Sequence, residues 1–141
     1  MEAKQFNRTN VRVRYGETDQ MGYCYYGNYA QYFEIGRVEA LRDLGMAYKN
    51  MEEKGVMLPV SEYAVKFLRP AKYDDLLTIS TEIVKLEGVR LYFNYEIHNE
   101  ENKCVAKAQT TLVFVSKDTM RPMNPPADFV ALLNKYLNNE K

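Results

Sequence analysis

Tryptophan is absent from this 141-residue chain, histidine occurs once and cysteine twice. The two thiols, Cys24 and Cys104, lie far apart in sequence and give no disulfide framework. They read as reduced, which points to a cytoplasmic compartment. His98 has no second histidine and no clustered cysteines with which to share zinc, so no metal is expected. No apolar run approaches the roughly 18 residues of a membrane span. The first ten residues, MEAKQFNRTN, are polar and lack the apolar stretch of a secretory leader. Neither charge sign is in excess: 19 Lys and Arg face 19 Asp and Glu, which argues against a nucleic-acid partner. There is no G-x-S-x-G elbow and no P-loop, and the glycines of GETDQMG lack dinucleotide spacing. No repeat and no Gly-, Pro- or Ser-rich linker divides the chain. One domain over 1–141 is therefore expected, with an ordered core at about 8–137 and loose ends of about ten residues at the start and a few at the close.

What is present is periodicity. Val11, Val13 and Tyr15 alternate with Arg12 and Arg14, the pattern of a short strand. A loop from Gly16 to Gly27 follows, rich in glycine but also in tyrosine, so it reads as ordered. Tyr29, Phe33, Ala40, Leu41 and Leu44 then fall on one stripe and predict a helix over about 27–44, closed by Gly45. A shorter helix is expected over 47–54. Strands are predicted over 56–68 (broken near Pro59), 76–86, 89–98 and 104–115, with hairpin turns at Glu87-Gly88 and Asn99–Asn102. The faces expected to be buried carry Leu77, Ile79, Thr81 and Ile83, then Leu91, Phe93, Tyr95 and Ile97, then Ala106, Ala108, Thr110, Leu112 and Phe114. A terminal helix is expected over 127–137. One long helix and one antiparallel sheet predict a two-layer α+β domain, the sheet wrapped around the helix, with Ala106 and Ala108 making room for it. Val105, Val113 and Val115 on the opposite face ask for a cover, most simply a second copy.

Chemistry concentrates before the long helix. Asp19 precedes Tyr26 by seven residues, and Tyr26 falls at the expected helix start. A helix start offers unpaired N–H groups that can hold a carbonyl oxygen as it gains charge during acyl transfer. A carboxylate beside it can attack or activate a water. Aspartate is also a usual turn-capping residue, and on spacing alone capping is the favoured reading. Cys24 reads as a small apolar filler ahead of a nucleophile. Arg69, Lys72, Arg90 and Lys117 read singly as surface charges, and two or three together as contacts to a phosphate-bearing ligand. Tyr25, Tyr29, Met21, Phe33, Met57 and Leu58 are candidates for lining an apolar channel.

Residues Val13 to Arg37, VRYGETDQMGYCYYGNYAQYFEIGR, resemble the signature of hotdog-fold acyl-CoA thioesterases of the 4-hydroxybenzoyl-CoA thioesterase type. The likeness is carried by Tyr15, Thr18-Asp19, Gly22, Tyr25-Tyr26, Asn28-Tyr29, Glu34 and Arg37, and continues through FLRPAKYDD at Phe67–Asp75 and TISTEI at Thr78–Ile83. It implies a hotdog fold, in dimers or dimer-built tetramers with active sites between subunits. It implies acyl-CoA as substrate, with coenzyme A as product rather than bound cofactor. It assigns Asp19 as nucleophile or general base and the Tyr26 backbone amide as the group polarising the carbonyl. Gly22 would shape the loop, while Glu34 and Arg37 would be structural or interface groups. Tyr23 replaces a small branched apolar residue and, with Tyr25 and Tyr29, would reshape the acyl pocket. Arg69, Lys72 and Arg90 are the expected phosphate contacts. An acyl-carrier-protein thioesterase and a non-catalytic acyl-CoA-binding hotdog protein remain alternatives. A hotdog dehydratase fits less well, because His98 comes late and on a strand.

Overall fold

The long helical stripe becomes helix α1 at Tyr29–Leu44 in the computed structural model, which describes residues 7–138. Its buried face, Tyr29, Tyr32, Phe33, Gly36, Arg37, Ala40 and Leu41, advances by threes and fours, so one side of the helix meets the sheet. Burying Phe33 completely contributes about 2–3 kcal/mol. The helix stops at Gly45, whose φ of 104° suits glycine; the N–H groups of Gly45 and Met46 fold back onto the carbonyls of Arg42 and Leu41.

Strand β1 (Asn7–Arg12) is the first element among the described residues. Helix α2 (Tyr48–Glu53) and strands β2 (Val56–Met57) and β3 (Val60–Phe67) follow α1. The long meander is β4 (Leu76–Glu87), β5 (Arg90–His98) and β6 (Cys104–Val113). Strand β7 (Val115–Ser116) and helix α3 (Ala127–Leu137) close the fold. Five strands form one antiparallel sheet in the order β1-β4-β5-β6-β3, and β2 pairs with β7. The expected break near Pro59 is real: Pro59 lacks an N–H, and the chain changes sheets across Leu58-Pro59. The three faces expected to be buried are buried throughout.

Four expectations are corrected. The first strand covers 7–12, not 11–15, because the Glu17 carboxylate accepts the Arg14 N–H at 2.9 Å and turns the chain into a single 3-10 turn at Tyr15–Glu17. Tyr15 therefore leaves the strand and is 77% exposed. The loose start is shorter than expected, since Asn7–Asn10 already pair with β4; the rest of it, 1–6, and the end at 139–141 lie outside the described residues. Room for the helix comes from Gly36 and not from Ala106 and Ala108. A Cβ at Gly36 would stand 2.4 Å from Thr81 Oγ1 and 2.8 Å from Ile79 Cγ2, so the helix rides directly on β4. Finally, Val105 and Val115 are buried within the chain and Val113 half-buried. The uncovered apolar surface lies instead on β3, at the sheet edge, where Val60, Tyr63 and Phe67 are each more than two-fifths exposed.

Candidate active site

The segment between β1 and α1 has little regular structure, so its shape depends on individual hydrogen bonds. One flank is tied to the Arg69–Asp75 turn: Val13 N–H donates to Asp75 O (2.9 Å), Asp74 N–H to Val13 O (2.9 Å) and Cys24 N–H to Ala71 O (2.6 Å). The other flank is tied to Glu17, a buried carboxylate. Its Oε1 accepts the Tyr32 hydroxyl of α1 at 2.7 Å and the Arg14 N–H, and its Oε2 accepts Arg14 Nη2 at 3.1 Å. Its own backbone carbonyl receives Tyr25 N–H and Asn28 Nδ2, each at 2.8 Å. Burial alone would raise the Glu17 pKa; the Arg14 amide, the Tyr32 hydroxyl and the Arg14 guanidinium outweigh it and hold the carboxyl below its ordinary value.

Between these ties lies a tight turn. Asp19 N–H donates to Tyr23 O (2.8 Å) and Gly22 N–H to Asp19 O (2.9 Å), with Gly22 at φ 81°. Asp19 Oδ1 accepts the N–H groups of Met21 (2.9 Å) and Tyr23 (3.2 Å). The capping reading of Asp19 therefore holds, yet the same residue lines a cavity of about 580 Å³. Among the described residues nothing donates to Asp19 Oδ2.

Tyr26 opens a 3-10 turn, Tyr26–Asn28, that runs into α1. The N–H groups of Tyr25 and Asn28 are taken, by Glu17 O and Tyr25 O. Those of Tyr26 and Gly27 meet no acceptor among the described residues. Asp19 and Tyr26, the residue that opens the helix start with a free amide, thus border one cavity, a combination suited to acyl transfer.

The cavity wall brings together Asp19, Tyr23, Tyr26, Tyr29 and Arg69 from the expected set, and Met21 from the channel candidates. Tyr25 is turned away: its ring lies 4.7 Å from that of Tyr26 and covers Gly27. Gly22 shapes the turn without lining the cavity, and Lys72 does not line it either, though its backbone is bridged to that of Tyr23. Arg90 is not at the site. It opens β5 opposite Glu87, at the far end of that strand from His98, roughly 26 Å away at ~3.3 Å per residue. Phe33 belongs to the core, while Met57 and Leu58 line a separate cavity of about 280 Å³ with Glu34, Arg37 and Tyr48.

Phe67, Leu68, Pro70 and Cys24 complete the wall. Phe67 stands edge-on to Tyr29 at 5.0 Å and to Tyr26 at 6.2 Å. Reasoning on single residues missed the first three because β3 and its following turn are distant in sequence; the FLRP string was their signal. Cys24 is a filler: burial raises its thiol pKa, and its Sγ rests 3.5 Å from the Tyr32 hydroxyl. Burial likewise raises Tyr29 and Tyr32, so both phenols are neutral. Arg37 is buried, donating to the hydroxyls of Tyr48 (3.1 Å) and Tyr95 (3.5 Å), whereas Glu34 is exposed.

The thioesterase-like superfamily matches residues 13–133. The chain is 33% identical to YneP of Bacillus subtilis, over 83% of this chain and 85% of the relative. It is 34% identical to the acyl-CoA thioester hydrolase YbgC of Escherichia coli O157:H7, over 88% and 92%. Its structure superposes on a DHNA-CoA thioesterase from Staphylococcus aureus with a TM-score of 0.90 and 32% identity, covering 96% of this chain and 94% of the other.

Proposed function

The chain belongs to the thioesterase-like superfamily, a family of hotdog-fold enzymes, and on that footing we propose that it hydrolyses an acyl-CoA thioester to a carboxylic acid and free coenzyme A. The observation that carries the mechanism is the shared border of one cavity by Asp19, whose Oδ2 accepts no hydrogen bond among the described residues, and Tyr26, whose N–H and that of the adjoining Gly27 meet no acceptor there. The thioester carbonyl oxygen points at those amides, which stabilise it as it becomes an oxyanion. Asp19 attacks the carbonyl carbon through Oδ2 or takes a proton from the attacking water. The C–S bond breaks, the coenzyme A sulfur leaves with a proton, and water supplies the hydroxyl of the acid. No metal or bound cofactor enters this chemistry. The two amide bonds to Oδ1 keep the carboxylate from rotating out of line. Tyr23, Tyr26, Tyr29 and Phe67 supply an apolar wall for the acyl group, and Arg69 a cation for coenzyme A phosphate.

The active unit is a homo-oligomer in this reading. Support comes from β3, an edge strand that carries exposed Val60, Tyr63 and Phe67 and ends at the cavity wall. An antiparallel second copy covers that edge and deepens the cavity. Both cysteines are free, which fits a cytoplasmic setting.

The test is thiol release across a panel of acyl-CoA substrates, with Asp19→Asn as the control. The variant keeps the turn, because its amide oxygen still accepts from Met21 and Tyr23. The expected loss in kcat is about 1,000-fold or more, with KM little changed. Folded, assembled D19N with parental kcat/KM overturns the mechanism; absence of hydrolysis by the parent on every substrate, with acyl-CoA still bound, favours a binding protein. Single turnover in ¹⁸O water tests the nucleophilic role: label in Asp19 requires an acyl–Asp19 anhydride opened by water at the Asp19 carbonyl, whereas label in the acid alone is shared by the general-base route and by attack of water at the acyl carbon.

A further inference from the structure

The far end of the β5–β6 hairpin gathers three metal-ligating side chains that chain order separates. Glu96 and His98 are two residues apart on β5. A bulge falls between Ile97 and His98, and His98 is the cross-strand partner of Cys104, the first residue of β6. Bulges re-aim side chains, and this one sets all three donors together. His98 Nε2 and Glu96 Oε1 are 3.6 Å apart, and the carboxylate oxygen, imidazole nitrogen and Cys104 sulfur all lie within 4.8 Å of one another. Each residue is half-buried, shielded from bulk water but open to an entering ion.

The hairpin that carries them is braced. Asn99 Oδ1 accepts the N–H groups of Glu101 (3.0 Å) and Lys103 (2.9 Å), and Asn99 N–H donates to Lys103 O at 3.0 Å. The donor atoms are therefore largely pre-positioned.

We infer that Glu96, His98 and Cys104 form a site for a zinc-class divalent cation, distinct from the Asp19 cavity. The donor set of one imidazole, one thiolate and one carboxylate selects borderline ions such as Zn²⁺ over Mg²⁺ or Ca²⁺. Metal–ligand bonds of 2.0–2.3 Å in a tetrahedron place donor atoms roughly 3.3–3.6 Å apart, close to the separation already set between Glu96 and His98. Small side-chain rotations bring Cys104 Sγ, now directed at Ala106 O, to the same distance. Binding converts the Cys104 thiol to thiolate and releases its proton to solvent. Thiolate and carboxylate together carry two negative charges, matching the ion. Three protein ligands leave a fourth position for water.

The site also touches the cavity wall. Arg69 Nη1 donates to Cys104 O at 2.9 Å, and the N–H groups of Leu68 and Arg69 donate to Val105 O. An ion here fixes the strand end that supports the cavity residues Leu68 and Arg69, whatever reaction the cavity performs. Residue-by-residue reasoning set metal aside for want of a second histidine; the third donor comes from across the hairpin.

The experiment uses tag-free full-length protein stripped by chelator. Titration with Co²⁺ is expected to give tetrahedral visible bands and a thiolate-to-cobalt band in the near ultraviolet, saturating at one ion per chain. Competition against a chromophoric chelator then measures Zn²⁺. Cys104→Ser should abolish the thiolate band and weaken Zn²⁺ at least about 100-fold, His98→Gln about 10-fold or more, and Cys24→Ser should change neither. Zn²⁺ should raise the Tm of the parent but not of C104S. Absence of a thiolate band, more than one equivalent bound with equal affinity, or unchanged Zn²⁺ affinity in folded C104S each overturns the site. All of these readouts are independent of thioester hydrolysis.

Discussion

Replacing Glu17 with glutamine removes a charge and almost no volume, at the point where the Asp19 turn is fastened to α1. Three bonds to the carboxylate are at stake: from the Arg14 N–H, the Tyr32 hydroxyl and Arg14 Nη2. The first two persist in E17Q as neutral hydrogen bonds. Charge-assisted bonds are roughly twice as strong as neutral ones, so each loses about 1 kcal/mol. The third becomes a contact between donors, but the Arg14 side chain is 77% exposed, so solvent limits that loss to well under ~1 kcal/mol. The sum is about 2–3 kcal/mol, which for a chain of this length lowers the Tm by about 10 °C. The deficit depends on pH. Because the folded pKa of Glu17 lies below its unfolded value, its stabilisation is complete above the unfolded pKa and disappears as pH falls through the folded one. The gap between parent and E17Q should thus be widest near neutrality, start to shrink as pH falls through the unfolded glutamate range of about 4.3, and vanish only below the folded pKa. Catalysis should suffer as well, since a slack turn lets Asp19 drift: kcat falls about 10- to 100-fold while KM stays within about twofold. Calorimetry from pH 3 to 8 and steady-state thiol release provide both readouts. A Tm within about 2 °C of the parent at pH 7, or a gap that widens in acid, refutes the reasoning.

Gly36→Ala places a methyl against Thr81 and Ile79 and should cost about 1–3 kcal/mol in chemical denaturation; a neutral result means the helix does not ride on β4 as described. Gly22→Ala meets no atoms within 4 Å, so only the strain of φ 81° acts. The expected loss is about 1 kcal/mol of stability with a larger fractional loss of kcat, and an unchanged kcat shows that the turn geometry is not limiting. Val60→Lys puts a charge on the free edge of β3 and should raise the dissociation constant of the oligomer at least about 10-fold by sedimentation, with the circular dichroism of the fold retained.

The helices and hairpins were legible because each is specified locally. Tyr29, Phe33 and Leu41 repeat at helical spacing, Gly45 and Gly88 sit at positive φ, and Pro59 breaks a strand. What escaped depends on partners distant in sequence. Glu17 reads as one more acid in a polar loop until Tyr32 is seen above it. Gly36 reads as a weak point in a helix until Thr81 is seen beneath it. Arg90 looks equivalent to Arg69 on a list of cations, and only strand register carries them to different ends of the sheet. The wall residues Phe67 and Leu68 follow from where β3 ends, which no local pattern fixes.

Phe67 closes β3 and faces the rings of Tyr26 and Tyr29 while its strand leaves one side unpaired. Whatever zips onto that strand therefore also tailors the space beside Asp19. Under the homo-oligomer and acyl wall proposed above, selectivity and self-recognition fall on the same few residues, so a lineage that altered its acyl preference at Phe67 would renegotiate its quaternary seam in the same step.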